Sequence, residues 1–254
     1  MKSLQNRRAL VTGGSRGLGL GLVEALAAEG AEVTVVARGE DDLAALKTRL
    51  GVAVISADIT EDGIAEQILS ATRPDILALN AGAPPPMAPL TEISWEDFSR
   101  TWTIDVKAGL SWIKAALTLP LAPGSRVLVT SSGAAIGGSP LSGGYAGAKR
   151  MLWILAKYAD GFSQERKLGI RFQTIVPMQM VSGTGVGDQG AGAYGRKRGM
   201  TAQQFLAANY PAPFTPEDFG RQVVSILTEA SYDSGNAFGF KGGQGIRILE
   251  ETAA

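Results

Sequence analysis

The sequence of 254 residues contains neither cysteine nor histidine. Without cysteine there is neither a disulfide framework nor a thiolate nucleophile. Without histidine, Ser-His-Asp hydrolase chemistry and histidine-ligated metal sites are excluded, and we expect no metal. The 24 basic and 24 acidic residues cancel, so no bulk field attracts nucleic acid or anionic lipid. We therefore expect no nucleic-acid partner.

Long hydrophobic runs are also missing. No run approaches the length of about 18 apolar residues that spans a bilayer. The first eight residues lack the apolar stretch of a secretory signal, and we expect a cytoplasmic protein with no membrane partner. The apolar fraction of 45% is ample for a large core, and the length suits one α/β domain over residues 1–254.

Short apolar segments alternate with amphipathic stretches, which predicts an α/β fold. The expected architecture is a Rossmann-like, doubly wound parallel sheet of about seven strands with helices on both faces. The predicted strands are Ala9–Val11, Val33–Ala37, Val52–Ala57, Ile76–Asn80, Val127–Ser131, Ile170–Val176 and a last one near Ala237–Phe240. Residues 178–215 break this rhythm and are rich in glycine, which predicts a mobile lid over the site. A disordered surface loop is the alternative.

A glycine-rich turn follows the first predicted strand. Residues Thr12 to Gly19 read TGGSRGLG and open a helical pattern. A strand, a glycine turn and a helix N-terminus form a phosphate-binding corner, because backbone amides and the helix dipole favour an anion. The spacing departs from the GxGxxG fingerprint, so this turn alone could be a simple strand-to-helix connection.

A second pattern combines Ser132, Tyr145 and Lys149. Four residues apart on one helix, Tyr145 and Lys149 lie on the same face. An ammonium close to a phenol favours the phenolate, which makes tyrosine useful as an acid or base. Ser132 ends an apolar run that predicts a strand, at the sheet edge where open α/β folds place their ligands. These three side chains are therefore candidates for one site.

Together with Asn80-Ala81-Gly82 after a predicted strand, these motifs resemble the short-chain dehydrogenase/reductase family. The TGxxxGxG turn of that family matches Thr12 to Gly19, and its YxxxK motif matches Tyr145 to Lys149. Its serine stands thirteen residues before the tyrosine, which favours Ser132 over the neighbouring Ser131. The resemblance runs nearly end to end. It implies hydride transfer between a nicotinamide and a carbonyl or secondary alcohol, and a homodimer or homotetramer.

The resemblance also implies the residues of the site. The catalytic set would be Ser132, Tyr145 and Lys149 with Asp105, and the substrate pocket would be Ser132, Tyr145 and Met178. The residues implied for cofactor binding are Gly13, Ser15, Arg16, Gly17, Leu18, Gly19, Arg38, Asp58, Ile59, Asn80, Ala81, Gly82, Tyr145, Lys149, Pro177 and Ser182.

The second predicted strand bears on which dinucleotide binds. In NAD-specific folds an acidic residue at the end of this strand bonds the ribose 2′-hydroxyl. Here the strand ends at Ala37-Arg38 with no acid, and Arg16 adds a second cation from the glycine turn. A guanidinium can bond a 2′-phosphate with its planar fork, so the sequence predicts NADP(H) in preference to NAD(H). The alternative is that both arginines are merely solvated.

Two residues depart from the family pattern. Asp105 stands where the family usually has an asparagine that supports a water relay to the lysine. It can substitute if the backbone carbonyl carries the relay, but its charge can alter the pKa of Lys149. Met178 stands where the family commonly has a glycine after Pro177. It is expected to shape the substrate pocket, the alternative being that it points into the core.

Three functions are compatible with these residues. The leading one is an NADP-dependent ketone or aldehyde reductase, reversible as an alcohol dehydrogenase. The second is reduction of carrier-bound 3-oxoacyl thioesters, for which Arg196, Lys197 and Arg198 would be the carrier's basic patch. The third is a dinucleotide-binding regulator without catalysis, although Tyr145 and Lys149 are both retained.

Overall fold

The fold was obtained as a computed structural model that describes residues 3–249, so residues 1–2 and 250–254 of the expected domain lie outside it. Its centre is an eight-stranded sheet in the order β3-β2-β1-β4-β5-β6-β7-β8. The strands are β1 (Arg8–Thr12), β2 (Glu32–Ala37), β3 (Ala53–Ser56), β4 (Ile76–Leu79), β5 (Arg126–Thr130), β6 (Arg171–Pro177), β7 (Ala237–Lys241) and β8 (Gly245–Ile248). The first seven are parallel, and β8 pairs antiparallel with β7.

The prediction of a Rossmann-like doubly wound sheet is confirmed, with one correction. The sheet has eight strands rather than about seven, because β8 folds back after the turn that follows β7. This last strand is short and mostly exposed, so it lacks the apolar run by which the other strands could be recognised.

Ten α-helices accompany the sheet within the described range. They are α1 (Gly17–Ala28), α2 (Glu40–Leu50), α3 (Ile64–Thr72), α4 (Trp95–Thr101), α5 (Lys107–Thr118), α6 (Ala134–Gly137), α7 (Tyr145–Glu165), α8 (Gly185–Lys197), α9 (Ala202–Asn209) and α10 (Pro216–Thr228). A π-helical turn, Trp102–Val106, joins α4 to α5. The helices α1 and α10 cover one face of the sheet, and α3, α5 and α7 cover the other.

The order of the strands creates a crevice beside β1. The chain builds β2 and β3 on one side of β1 and then crosses to place β4 on its other side. At such a topological switch point the loops after two neighbouring parallel strands diverge, and open α/β sheets bind their ligands there. The glycine turn follows β1, and Asn80 to Gly82 follow β4, so both motifs border this crevice.

Residues 178–215 are largely helical rather than a long irregular loop. They contain α8 and α9, each of which begins with a threonine whose side chain accepts a backbone N–H. The Tyr194 hydroxyl on α8 lies 2.9 Å from the Ser139 hydroxyl and accepts the Leu141 N–H at 3.2 Å. The segment therefore packs against the loop that follows β5, on the edge of the sheet where the site lies.

Aromatic residues of the α4–α5 stretch are divided between core and surface. Trp112 is buried and packs under the sheet, whereas Trp95 is 77% exposed and stacks on Phe98. Within residues 3–249, no helix is both long enough and apolar enough to cross a membrane.

Candidate active site

The glycine turn is joined to the end of β4 by direct hydrogen bonds. The Thr12 hydroxyl accepts the backbone N–H groups of Asn80 at 3.1 Å and Ala81 at 3.2 Å. The Asn80 amide donates to the Gly13 carbonyl at 3.3 Å. A Cβ on Gly19 would lie only 2.2 Å from that carbonyl oxygen, so the first turn of α1 can approach the strand end only as glycine. Both walls of the crevice are thereby fixed.

The N-terminus of α1 suits an anion. The helix begins after Arg16, and among the described residues none caps it with a side chain. Its first turn also carries no acidic residue, whereas α8, α9 and α10 are all capped by threonine hydroxyls. Free amides at a helix N-terminus bind phosphate oxygens. The half-buried Ser15 and Leu18 and the exposed Arg16 belong to this turn, which therefore fits the pyrophosphate of a dinucleotide.

Arg38 and Asp58 stand at the ends of β2 and β3. The Arg38 side chain is 75% exposed and its guanidinium is 3.8 Å from the Asp58 carboxylate, a separation at which a surface pair binds weakly. Asp58 accepts the Thr60 backbone N–H and hydroxyl, and these bonds hold the pKa of the Asp58 carboxyl below its usual value. The Ile59 carbonyl accepts the Trp112 indole N–H at 3.1 Å, which fixes this loop.

Tyr145 is the first residue of α7, and its position is set by the helix stretch before β5. The Trp102 indole N–H donates to the Gly144 carbonyl at 3.0 Å, and the Gly144 N–H donates to the Phe98 carbonyl at 3.2 Å. A Cβ on Gly144 would lie 2.3 Å from the Phe98 oxygen, so this contact requires glycine. Tyr145 is buried, and the Lys149 ammonium lies 5.6 Å from the centre of its ring.

The two serines after β5 have different surroundings. Ser131 is buried, and its hydroxyl donates to the Lys149 carbonyl at 2.8 Å, which ties α7 to β5. Ser132 is half-buried, and its hydroxyl oxygen accepts the Ala134 N–H at 3.2 Å. The Ser132 hydroxyl retains its own proton for donation, whereas that of Ser131 is committed to the helix. This difference favours Ser132 as the serine of the site.

Lys149 lies inside the protein beside Asp105. The ammonium is 3.0 Å from Asp105 Oδ2, and the other carboxylate oxygen accepts the Ala83 N–H at 2.7 Å. Burial by itself lowers the pKa of a lysine, but the Asp105 carboxylate and the Tyr145 side chain outweigh it and raise the pKa of Lys149 above its ordinary value. The structure therefore brings Asp105, Tyr145 and Lys149 together.

The loop after β6 carries the remaining predicted residues. The buried Pro177 accepts the Gly133 N–H at 2.8 Å, next to Ser132. The main chain of Met178 passes the same glycine, but its half-buried side chain packs with the apolar cluster around Trp153. Ser182 is exposed and three residues ahead of α8.

Sequence reasoning missed Thr184, which lies beside the glycine turn. A Cβ on Gly17 would be 3.6 Å from its side chain, so the start of α8 faces the start of α1. The Thr184 hydroxyl donates to Val181 and accepts the Gly187 N–H, so its role here is to begin α8. The sequence signal that could have found it was a threonine placed just before a segment long enough to form a helix, a pattern that predicts a helix N-cap. Within the described range, no cluster of acidic side chains could hold a metal ion.

A doubly wound sheet with a glycine turn at its switch point, and a tyrosine–lysine pair at the same edge, is typical of a dinucleotide-dependent oxidoreductase. The sequence model described as short chain dehydrogenase matches residues 7–187, and the chain belongs to this family. Enzymes of this family use a nicotinamide dinucleotide to interconvert CH–OH and C=O groups.

Three relatives illustrate the match. A 2,5-dichloro-2,5-cyclohexadiene-1,4-diol dehydrogenase of Sphingobium indicum is 29% identical over 186 residues, covering 70% of this chain and 74% of the relative. A galactitol 2-dehydrogenase of Agrobacterium fabrum is 31% identical, covering 68% and 70%. An L-xylulose reductase of Mesocricetus auratus is 33% identical over 132 residues, and that match spans about half of each chain, 50% and 54%.

Proposed function

We propose that this chain is an NADP-dependent reductase of ketones or aldehydes that runs in reverse as an alcohol dehydrogenase. The observation that carries the proposal is the buried Lys149 ammonium 5.6 Å from the centre of the Tyr145 ring, with Ser132 two residues beyond the end of strand β5. A lysine is rarely buried without a task that needs its charge there.

In this mechanism the Ser132 and Tyr145 hydroxyls donate hydrogen bonds to the substrate oxygen. Tyr145 gives its proton to that oxygen during reduction and takes it back during oxidation. The Lys149 ammonium stabilises the negative charge that this leaves on the phenol. The bound dinucleotide supplies or accepts the hydride.

The hydrogen-bonding groups of Lys149 are consistent with a second role. An ammonium has three N–H donors. The ammonium donates to the Thr130 carbonyl at 3.5 Å and pairs with the Asp105 carboxylate at 3.0 Å, so at least one of its donors remains for another acceptor. We assign that donor to the ribose hydroxyls of the nicotinamide, as the family resemblance implies.

The dinucleotide would lie along the crevice from α1 to β3. The amides of the glycine turn would bind its pyrophosphate, Asn80 to Gly82 would line the adenosine side, and Asp58 would contact the adenine edge. The 2′-phosphate would be bound by Arg38, whose exposure leaves the guanidinium accessible, with Arg16 as a second cation. Pro177 and Ser182 would lie at the nicotinamide end.

The names of the relatives suggest a substrate class. The names of the three enzymes above refer to a cyclohexadiene diol, xylulose and galactitol, all of which carry two or more hydroxyl groups. A small polyol or hydroxyketone is therefore the first class to test. The carrier-thioester alternative has weaker support, because the Arg198 guanidinium packs over Phe205 and donates to Asn209 within the α8–α9 segment.

Two further proposals concern assembly and access. Apolar side chains on α5 and α7 are exposed, with Leu110 at 52% and Tyr158 at 68%, and we propose that these helices pair across a two-fold axis in a homodimer or homotetramer. A sedimentation mass of one chain would contradict this.

We also propose that residues 178–215 close over the substrate as a lid. NADPH should then slow proteolysis within that segment, and equal cleavage with and without NADPH would exclude it.

The mechanism is tested by Tyr145→Phe. Removing the phenolic oxygen should lower turnover of an active ketone or polyol at least about a thousandfold, while NADPH affinity stays nearly unchanged. Tyr232→Phe is the matched control, since Tyr232 lies before the start of β7, at the edge of the sheet opposite the site. Turnover of Tyr145→Phe within about tenfold of wild type, only ~1.4 kcal/mol in the barrier, would contradict the mechanism.

The cofactor preference is tested by Arg38→Ala and by Ala37→Asp. The first removes a charge-assisted bond to the 2′-phosphate, and the second adds a carboxylate that repels it, so both should shift the kcat/KM ratio toward NAD. We expect at least about a tenfold shift, worth ~1.4 kcal/mol. Arg49→Ala, at the last turn of α2, controls for loss of a surface arginine. A wild-type preference for NAD would overturn the assignment.

A further inference from the structure

Asp105 and Lys149 form an ion pair that is almost entirely removed from solvent. The Asp105 side chain is 0% exposed and that of Lys149 is 7% exposed, with 3.0 Å between Oδ2 and Nζ. An ammonium at such depth is costly unless it is paired, because the protein interior solvates charge poorly. The residue at position 105 therefore affects the charge of the lysine on which the proposed chemistry depends.

The backbone around Asp105 holds its carboxylate in one place. Asp105 lies in the π-helical turn Trp102–Val106, where the helix widens and its side chain is directed at the loop after β4. One carboxylate oxygen accepts the Ala83 N–H at 2.7 Å. A Cβ on the adjacent Gly82 would lie 2.7 Å from the other oxygen, so the carboxylate can pack this close to the loop only because residue 82 is glycine.

The charges around Lys149 come from few groups within the described part of the chain. The titratable groups that act on its ammonium are Asp105 from the π-turn and Tyr145 from α7 itself. Strand β5 contributes the neutral Thr130 carbonyl at 3.5 Å. Lys107, two residues beyond Asp105, is half-exposed and pairs with Asp62 on the surface. Asp105 thus carries the full negative charge that opposes the effect of burial on the pKa of Lys149.

We propose that Asp105 is a positioning residue that keeps Lys149 charged and in place, so that the protein retains its dinucleotide affinity into the alkaline range. This inference rests on the proposed function, in which Lys149 contacts the cofactor. Burial lowers the pKa of Lys149, the Asp105 carboxylate more than restores it, and the charge therefore persists as pH rises. With a neutral side chain at position 105, burial would act unopposed and the lysine would release its proton at lower pH.

The test is the pH dependence of NADPH binding in Asp105→Asn, which keeps the side chain's shape and removes its charge. The dissociation constant is measured by calorimetry from about pH 6 to about pH 9.5 in wild type and variant. Taking the ratio of the two constants cancels the titration of the cofactor's own phosphate. We expect the dissociation constant of the variant, divided by that of wild type, to rise at least about tenfold from the low to the high end of this range, because Lys149 of the variant loses its charge. A ratio that is flat with pH overturns the proposal.

Two controls separate this effect from general damage. Asp160→Asn removes the charge of another buried carboxylate on α7, whose partner Arg171 is not a lysine. Because arginine side chains in general stay charged over this range, the ratio should stay flat. Combining Asp105→Asn with Lys149→Met removes the titrating group, so the rise should disappear. If it persists in the double variant, the effect does not pass through Lys149 and the proposal is wrong.

The wild-type protein provides a test that does not depend on the folding of any variant. Its NADPH affinity, corrected for the cofactor phosphate, should be constant up to about pH 9, and a loss of affinity with a midpoint below that overturns the proposal. Binding is measured without turnover, so failure to find a carbonyl substrate would count against the proposed function alone. A pH-dependent binding ratio together with an inactive wild type would support the ion pair and refute the reductase.

Discussion

The two ends of α7 bury charged groups for different purposes. At the N-terminal end the Lys149 ammonium lies 3.0 Å from the Asp105 carboxylate. At the C-terminal end Asp160 accepts the Phe172 N–H at 2.9 Å and the Arg171 guanidinium N–H at 3.3 Å. The Gln164 side-chain amide also donates to Asp160, at 2.6 Å. Amides carry no charge, and an arginine side chain stays charged near neutral pH. Both ends hold a buried carboxylate, but its cationic partner is a lysine at one end and an arginine at the other.

The two ends of α7 also differ in how closely they are packed. Beside Asp105 lies a cavity of about 10 Å³, close to the volume that one water molecule needs. At the other end the Ser163 hydroxyl donates to the Ile170 carbonyl at 2.7 Å and accepts the Ile170 N–H at 3.2 Å, closing the turn into β6. The C-terminal end of the helix is therefore fixed by a hydroxyl that both donates and accepts, whereas the N-terminal end borders a small cavity.

The largest expected effect on stability comes from a substitution at the C-terminal end of α7. Asp160→Ala leaves the Arg171 guanidinium and the Phe172 N–H without their carboxylate, and we expect it to lower the free energy of unfolding by about 3 kcal/mol. Urea denaturation measures this change. NADPH affinity of the folded variant should be unchanged, because Asp160 is eleven residues from Lys149 along α7.

Asp62→Ala is the control for that comparison. Asp62 pairs with Lys107 at 3.1 Å, but its side chain is 93% exposed, and such surface pairs contribute less than about 1 kcal/mol. Equal destabilisation by the two substitutions, or a loss of NADPH affinity in Asp160→Ala, would remove the distinction between the two ends of α7.

The sequence was most informative where one short segment carries the whole signal. Seven strands followed from apolar runs between turn residues, and the candidate site was predicted from the spacing of Ser132, Tyr145 and Lys149. The eighth strand escaped because it is a short edge strand with a mostly exposed surface. The Asp105–Lys149 pair could be suspected but not described, since it depends on a π-turn that leaves no recognisable periodicity.

Helix α8 was missed for a different reason. Its sequence GVGDQGAGAYGRK contains five glycines, each of which disfavours a helix by about 1 kcal/mol relative to alanine. Local propensity therefore predicted a loop. The structure compensates by tertiary packing: Gly187, Gly190 and Gly195 are buried and allow neighbouring backbone and side chains to come close. Such contacts span the α8–α9 segment and cannot be inferred from propensity alone.

The smallest expected effect concerns Met178, which belongs to neither end of α7. Its main chain passes Gly133 next to the site, but its side chain packs with Trp153 from the middle of the helix, and with Val176 and Ala237. These contacts favour the packing alternative over the pocket. We therefore expect Met178→Gly to lower the free energy of unfolding by about 1–2 kcal/mol, less than for a fully buried methionine because the side chain is half-buried. The ratio of rates on a small and a bulky ketone should stay within about twofold of the wild-type ratio, well under the ~1.4 kcal/mol of a tenfold change.

Melting temperature and that ratio are measured on the same variant. A changed ratio with unchanged stability would instead place Met178 in the substrate pocket, because a side chain that contacts only substrate contributes to selectivity and not to folding.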